Sequence, residues 1–544
     1  MNLTSQSYYQ EISNQHYPDI VNYGKNYGKY VYFIGIGGAG MGAIAKILID
    51  EGCFVSGSDL ECSPITHDLA KLGAKINTEQ EGRGLDSYTN LVITSAAINE
   101  NNPDLRKARM LGLKVIKYSE FLGSLMKNKC GIAVSGTHGK TTTSAMISTI
   151  LKKTGHEPTF VIGGNVAEIG GNSCVGKGSF FIAEACEYDR TFLNLSPQIG
   201  VITNIDEDHL DYYKDINGIT DAFTEFISLI PEDGLLVINN DDTNIKKVIE
   251  SAKCRIESYS IFMTSNLPDK PIPIQKTPTR QNHFGKWSNR QGIPVLYRSS
   301  SLSVTSEQLI DESDNKIYCE LDAKWLAIVY YFDKEITRFS LFNVGEYFDD
   351  FCLKIPGLHN VSNALAAISV CNYIGLNKKV IKKALASFNG VNRRFQTISS
   401  KDRITIIDDY AHHPTEIRTA LETAKSIYPS QRLWCVFQPH QHNRTRLLLK
   451  KFAMALALAD KVIITDIYPA RDSDIERASV SSLDLMYELL EIGGDVECVK
   501  SISEIVDSLR LNVKTGDIIL TLGAGNIWEA AYGLKNCLES EYDW

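Results

Sequence analysis

The sequence predicts an α/β chain of three domains: a Rossmann-like N-terminal domain, a central P-loop ATPase-type α/β domain and a C-terminal Rossmann-like α/β domain. Three observations predict it. An apolar run over residues 31–34 enters the turn Gly35-Ile-Gly-Gly-Ala-Gly40 and a helix over 41–51. A second apolar run, 132–134, enters a tight turn at 135–139, and Lys140 opens a helix running towards Leu151. From near Val391 strands and helices alternate again, with polar loops gathered where strands end. The boundaries are 1–29 for an extension, 30–128, 129–390 with an insertion spanning 260–343, and 391–544.

Composition narrows the class. With 544 residues, 43% hydrophobic and 22% charged, the chain has the make-up of a soluble protein of several domains. Its net charge of −9 argues against non-specific nucleic-acid binding. The 12 cysteines include no Cys-x-x-Cys pair, which favours free thiols in a reducing compartment and a cytoplasmic setting. Residues 1–16 are polar and lack the apolar segment of a secretory signal. The most apolar window, 30–49, holds Lys46 and many glycines, so a membrane span is a poor second to strand, turn and helix.

Residues 1–29 are polar and tyrosine-rich and read as a loosely docked extension. After the first glycine turn a strand over 53–56 leads to Asp59, at the spacing of a dinucleotide fingerprint. The loop itself requires only that a phosphate or pyrophosphate approach the backbone. Asp59 is either an acceptor for a ribose or base, or the cap of the turn at Gly57-Ser58. A helix over 65–72 and strands over 91–94 and 114–116 complete this unit.

The second turn carries more chemistry. Gly136 and Gly139 permit a sharp bend and leave N–H groups for an anion, the helix N-terminus adds partial positive charge, and Lys140 adds a full one. The Thr141 hydroxyl is placed for a magnesium ion. The spacing is shorter than the common phosphate loop, because position 134 is Val. A nucleoside triphosphate site is favoured over a plain capped helix, since Gly, Gly-Lys and a Thr run coincide at one strand end. Strands over 180–183 and 199–203 then end at Glu184 and Glu187, and at Asn204-Ile-Asp-Glu-Asp-His209. Ends of parallel strands converge on a ligand crevice, and carboxylates with a histidine there suit magnesium. Glu184 and His209 are the candidates; Glu187, Asp206 and Asp208 stay undecided between metal and helix capping.

Residues 266–292, rich in Pro, Asn, Gln and Lys, read as a long surface loop, and 295–340 as antiparallel strands without chemistry. Gly357 turns the chain into a helix over 361–371, at whose start His359, Asn360 and Asn363 either contact a nucleobase or only cap the helix. In the third domain a strand over 404–407 ends in Asp408-Asp-Tyr-Ala-His-His413-Pro414, and one over 433–437 ends in Gln438-Pro-His-Gln-His-Asn-Arg444. The tandem histidines suit a metal, but the needed companions are not evident. A hydrogen bond within the domain or a facing carboxylate is the rival.

Several ordered motifs together resemble the Mur ligases, the ATP-dependent amide-forming enzymes of bacterial cell-wall (peptidoglycan) precursor synthesis. They are Gly35-Ile-Gly-Gly-Ala-Gly-Met41, Val55-Ser-Gly-Ser-Asp59, Gly136-Thr-His-Gly-Lys-Thr-Thr-Thr143, Thr203-Asn-Ile205 with Asp208-His209, and Pro356-Gly-Leu-His-Asn360 with Asn363. Arg393-Arg-Phe395, Asp408-Asp-Tyr410, His412-His-Pro-Thr-Glu416 and Phe437-Gln-Pro-His440 with Arg444 continue the series. The likeness runs from Tyr30 to the C-terminus, broken by the insertion, and is nearest to members that add L-alanine to UDP-N-acetylmuramate. It implies that Gly38, Ala39, Gly40, Ser58, Asp59 and Ser95 hold the UDP part. Gly136, Thr137, His138, Gly139, Lys140, Thr141 and Thr142 would hold the ATP phosphates, with Asn360 and Asn363 at the adenine end. Thr141, Glu184 and His209 would hold Mg2+. Arg394 would approach phosphate, and Tyr410, His413 and Arg444 would line the amino-acid side. Lys140, Glu184, His209, Arg394, His413 and Arg444 form the implied catalytic set, with His209 or His413 as the base.

Four positions depart from the family pattern. Cys186 stands where Asp is usual, Gln441 where Arg is usual, Asn443 where a small hydroxyl residue is usual, and Gln396 where Glu is common. Losing an Arg beside the amino-acid carboxylate bears on amino-acid choice. An active alanine-adding ligase is the favoured reading. The alternatives are a Mur-type ligase adding a different amino acid or peptide, and a non-catalytic nucleotide-binding homologue. Lys140, Thr141, Glu184, His209 and Arg444, all retained, argue against the last.

Overall fold

The computed structural model describes residues 29–127, 129–264, 296–297, 323–401, 404–470 and 472–540. The extension expected over 1–29, Lys29 apart, and the loop expected over 266–292 lie outside them.

Five parallel strands make the first sheet: β1 (Tyr30–Ile34), β2 (Phe54–Ser58), β3 (Lys75–Asn77), β4 (Leu91–Thr94) and β5 (Lys114–Lys117), in the order β3-β2-β1-β4-β5. Strands covered on both faces read as unbroken apolar runs, and Val31, Tyr32, Phe33 and Ile34 are all buried. The order reverses beside β1, so the crevice opens at its carboxyl end. There the glycine turn leads into α1 (Ala39–Asp50).

Among the described residues the central sheet has eleven strands. Its parallel part joins β6 (Cys130–Ser135), β7 (Thr159–Val166), β9 (Phe180–Glu184), β10 (Ile199–Ile202), β11 (Leu235–Asn239), β12 (Arg255–Thr264) and β14 (Trp325–Phe332). At one edge β8 (Gly171–Cys174) runs antiparallel to β7. At the other, β15 (Thr337–Asn343) and β16 (Glu346–Leu353) continue antiparallel from β14, and β13 (Leu296–Tyr297) pairs antiparallel with β12. Of the stretch expected to be antiparallel over 295–340, β13 and β15 are so, whereas β14 is antiparallel to β15 but parallel to β12, which makes it the last strand of the parallel part. Helices α2 (Lys140–Lys153) and α3 (Leu358–Tyr373) cover one face through Ala145, Ile147, Ile150, Leu365 and Ile368. The other face, with Phe181, Ala183 and Ile202, shares one apolar cluster with Val31, Phe33, Ile44 and Leu48 of the first domain. Helix α3 begins three residues earlier than its apolar pattern suggests, because Gly357 at φ 97° serves as its cap. Asn360 is then inside the first turn, where its amide donates to the Pro356 carbonyl at 2.6 Å.

Six strands form the third sheet: β17 (Gln396–Lys401), β18 (Ile404–Asp409), β19 (Leu433–Phe437), β20 (Lys461–Ile464), β21 (Val496–Cys498) and β22 (Ile518–Leu522). All pairs are parallel except β17 with β18. Helix α4 (Pro414–Ile427) leaves the end of β18 by way of the two histidines. No helix among the described residues is long and apolar enough to cross a membrane. The described cysteines are all free.

Candidate active site

Strand β6 delivers the chain into the phosphate loop, and two glycines bend it. Gly136 has φ 125° and Gly139 φ 82°, a region that L side chains rarely occupy. Space excludes a side chain as well: a Cβ on Gly139 would stand 2.5 Å from Asn363 Oδ1. The loop is braced from β10, since Asn204 accepts from the His138 N–H at 2.8 Å and donates to the His138 carbonyl at 2.9 Å. Lys140 folds back over the loop. Its ammonium donates to the Gly136 and Thr137 carbonyls at 2.5 and 3.0 Å and pairs with Glu187 at 3.0 Å. Burial alone would lower the lysine pKa, but the Glu187 carboxylate outweighs it and holds the group charged.

The candidate metal residues collect beside the loop. The Thr141 hydroxyl donates to Glu184 Oε2 at 3.2 Å, and the Gly163 N–H donates to the same carboxylate. Burial raises the Glu184 pKa. His209 is held at φ 53°, left-handed for a residue with a side chain, which is backbone strain of the kind found at functional positions. Burial lowers its pKa, partly against Asp208. Its Nδ1 is buried with no hydrogen-bond partner among the described residues. The unpartnered imidazole nitrogen of His209 and the hydroxyl–carboxylate pair of Thr141 and Glu184 are donor types that suit a divalent cation.

Asn360 and Asn363 are buried against the loop rather than on an open face. Asn363 accepts from the Thr143 hydroxyl at 3.2 Å and its amide lies 3.4 Å from Asn360 Oδ1.

The C-terminal domain docks over this end of the central sheet. Arg444 grips Asp208 Oδ1 through Nη2 and Nε at 2.9 and 3.1 Å, and the Asp208 pKa is driven well below the usual range because Arg444 overcomes its burial. His413 donates through Nε2 to the Glu207 carbonyl at 2.9 Å and accepts at Nδ1 from the Thr415 N–H at 3.3 Å. Both nitrogens of His413 are engaged, and the bond to Glu207 ties the third domain to the central one. Arg394 lies 5.3 Å from the Tyr410 ring centroid and 3.8 Å from Glu416. Glu416 also contacts His138 of the phosphate loop at 3.2 Å.

The first glycine turn is organised differently. Asp59 accepts from the Gly37 N–H at 2.7 Å and the Glu61 N–H at 3.2 Å, so it ties the turn itself instead of capping Gly57-Ser58. Ser58 is fully buried and donates to Asp104 at 2.5 Å, which takes its hydroxyl off the open side of the crevice. Gly38, Ala39 and Gly40 form the entry to α1, and Ser95 stands against Gly35.

The sequence matches the Mur ligase family catalytic domain over residues 30–130, the Mur ligase middle domain over 134–296 and the Mur ligase glutamate ligase domain over 393–525. It is 38% identical over 502 residues to a UDP-N-acetylmuramate–L-alanine ligase of Caldanaerobacter subterraneus, covering 92% of this chain and 96% of that one. The chain belongs to the Mur ligase family. A Clostridium kluyveri ligase of the same name is 39% identical over the same shares. The crystal structure of a Thermotoga maritima UDP-N-acetylmuramate-alanine ligase superposes with a TM-score of 0.71 at 26% identity, over 94% of this chain and 99% of that one.

Four carboxylates of this Mur ligase carry contacts that sequence reasoning left undecided or unassigned: Glu187 on Lys140, Asp208 on Arg444, Asp206 on His138, and Glu416 on His138 and His412. Glu416 had one local signal, a carboxylate three residues after the capping His413.

Proposed function

We propose that this chain is a cytoplasmic ATP-dependent ligase that joins L-alanine to the lactyl carboxylate of UDP-N-acetylmuramate in peptidoglycan precursor synthesis. The observation that carries the reading is Lys140, a charged ammonium at the head of α2, on a central domain to which Arg444 of the third domain is locked through Asp208 at 2.9 Å. The relatives described above support the substrates.

A carboxylate lacks a leaving group for an attacking amine. One carboxylate oxygen therefore bonds to the γ-phosphorus of ATP as the bond to ADP breaks, giving an acyl phosphate. The alanine amine attacks the acyl carbon, loses a proton, and the tetrahedral intermediate collapses with release of phosphate. Lys140 exchanges Glu187 for the transferring phosphoryl group and offsets its charge. Thr141, Glu184 and His209 would hold magnesium, which supplies further charge compensation when bound. Gly38 to Gly40 offer backbone N–H groups at the N-terminus of α1 to the diphosphate. Arg394 lies on the phosphate side, Tyr410 and Arg444 on the amino-acid side, and the docked third domain keeps water from the acyl phosphate. Purified protein should release phosphate from ATP only when UDP-N-acetylmuramate and an amino acid are both present, with L-alanine the best of a panel. Phosphate release without either substrate, or a preference for another amino acid or a peptide, would overturn it.

A further inference from the structure

We infer that His138, Asp206 and His413 form a binding site for a divalent transition-metal ion of the Zn2+ class, one that clamps the third domain onto the phosphate loop. Their ligand atoms all lie within 4.8 Å of one another. His138 Nε2 is 3.4 Å and His413 Nδ1 3.9 Å from Asp206 Oδ2. The outward nitrogen of each ring is already occupied: His138 Nδ1 faces Glu416 Oε1 at 3.2 Å, and His413 Nε2 donates to the Glu207 carbonyl at 2.9 Å. That is how proteins orient metal-bound imidazoles, with a carboxylate or carbonyl on the far nitrogen fixing the lone pair towards the ion. The Asp206 carboxylate is held too, by the Thr415 hydroxyl on Oδ2 at 2.6 Å and the Glu207 N–H on Oδ1 at 2.8 Å.

Two imidazoles and one carboxylate select Zn2+, Co2+ or Ni2+ over the oxygen-seeking Mg2+. The group is separate from Thr141, Glu184 and His209. It also answers the question that the tandem histidines raised, since the missing companions come from another domain, more than 200 positions away in the chain. Binding displaces the proton that His138 shares with its two carboxylates and the 3.3 Å bond from the Thr415 N–H to His413. Because His138 and Asp206 belong to the central domain and His413 to the third, an ion here holds the two together, and product release then waits on its departure.

The test uses the full chain without nucleotide or magnesium, titrated with CoCl2. A single equivalent should produce visible d–d absorption that Mg2+ does not reduce and Zn2+ bleaches. Asp206→Asn and His413→Gln should each weaken Co2+ binding by more than about 100-fold, beyond the loss that outer-shell changes cause, whereas His209→Ala keeps the absorption. Zn2+ should raise the melting temperature of the unaltered protein and of His209→Ala, but not of the other two variants. No absorption with the unaltered protein, absorption that survives in both Asp206→Asn and His413→Gln, or absorption lost only in His209→Ala would each overturn the site.

Discussion

The chain builds the same device twice and connects it in two ways. At Gly35–Gly40 and again at Gly136–Gly139 a buried parallel strand ends in glycines and a helix begins. The first turn is tied mainly within its own domain: Asp59, just after the next strand, accepts from the Gly37 N–H, Tyr118 packs where a Cβ on Gly40 would go, and only a long bond from Asn172 to the Ala39 carbonyl at 3.4 Å is seen from the central domain among the described residues. The second turn is tied outward, with Lys140 on Glu187, His138 on Asp206 and Glu416, and Gly139 against Asn363. A turn tied within its own domain presents backbone to a ligand and needs nothing to move. A turn tied to other elements reports their positions, which suits a site where a phosphoryl group changes hands.

The largest expected difference is chemical. Lys140→Ala should lower turnover about a thousandfold, measured as phosphate release, while no side chain of the first turn has comparable weight. The change also strands Glu187, which is 2% exposed, at a cost of about 3 kcal/mol to stability. Adding Glu187→Gln should restore the melting temperature and leave the turnover loss in place.

The next difference is steric. Gly136→Ala forces a side chain into φ 125° and against Thr203 Oγ1, and should destabilise by about 3 kcal/mol. Gly38 has φ −66° and only ordinary contacts from 3.7 Å outward. Gly38→Ala should change stability by no more than about 0.5 kcal/mol, yet raise KM for the sugar nucleotide, because the diphosphate needs that backbone. An unchanged KM would remove Gly38 from the substrate side.

The smallest difference is in pH response. Burial opposes charge on His138, but the hydrogen bonds and charges of Asp206 and Glu416 raise its pKa to about 9. A folded pKa above the unfolded value means that the contribution is complete below pH about 6.5 and is lost as pH rises through about 9. The melting temperature should therefore fall over that window, and His138→Gln should flatten the dependence. The first turn contains no such group.

Much of the fold was legible because its strands are parallel and buried on both faces. Leu91–Thr94 and Leu433–Phe437 are bounded as their apolar runs suggest. Helix α3 was less so, since half-buried His359 and buried Asn360 occupy its first turn and break the pattern. Within the site, the glycines, Lys140, Glu184, His209 and Arg444 stood out by residue type at strand ends. Their partners did not, because Asp208 and Arg444 lie 236 positions apart and His138 and Glu416 lie 278 apart. No local period records such pairings. Ser58 misled for the opposite reason: its motif is local, but Asp104, which engages its hydroxyl, comes from elsewhere.

The apolar cluster common to the first sheet and the central one gives the molecule the character of a caliper. Ile44 and Leu48 of α1 share that interior with Phe181 and Ile202, so the crevice beside Gly38 and the head of α2 stand at a set separation. A molecule gripped at its diphosphate end brings its acid to the ammonium only if its length matches that gap, and rejection of shorter or longer ones then falls to the rigid interior.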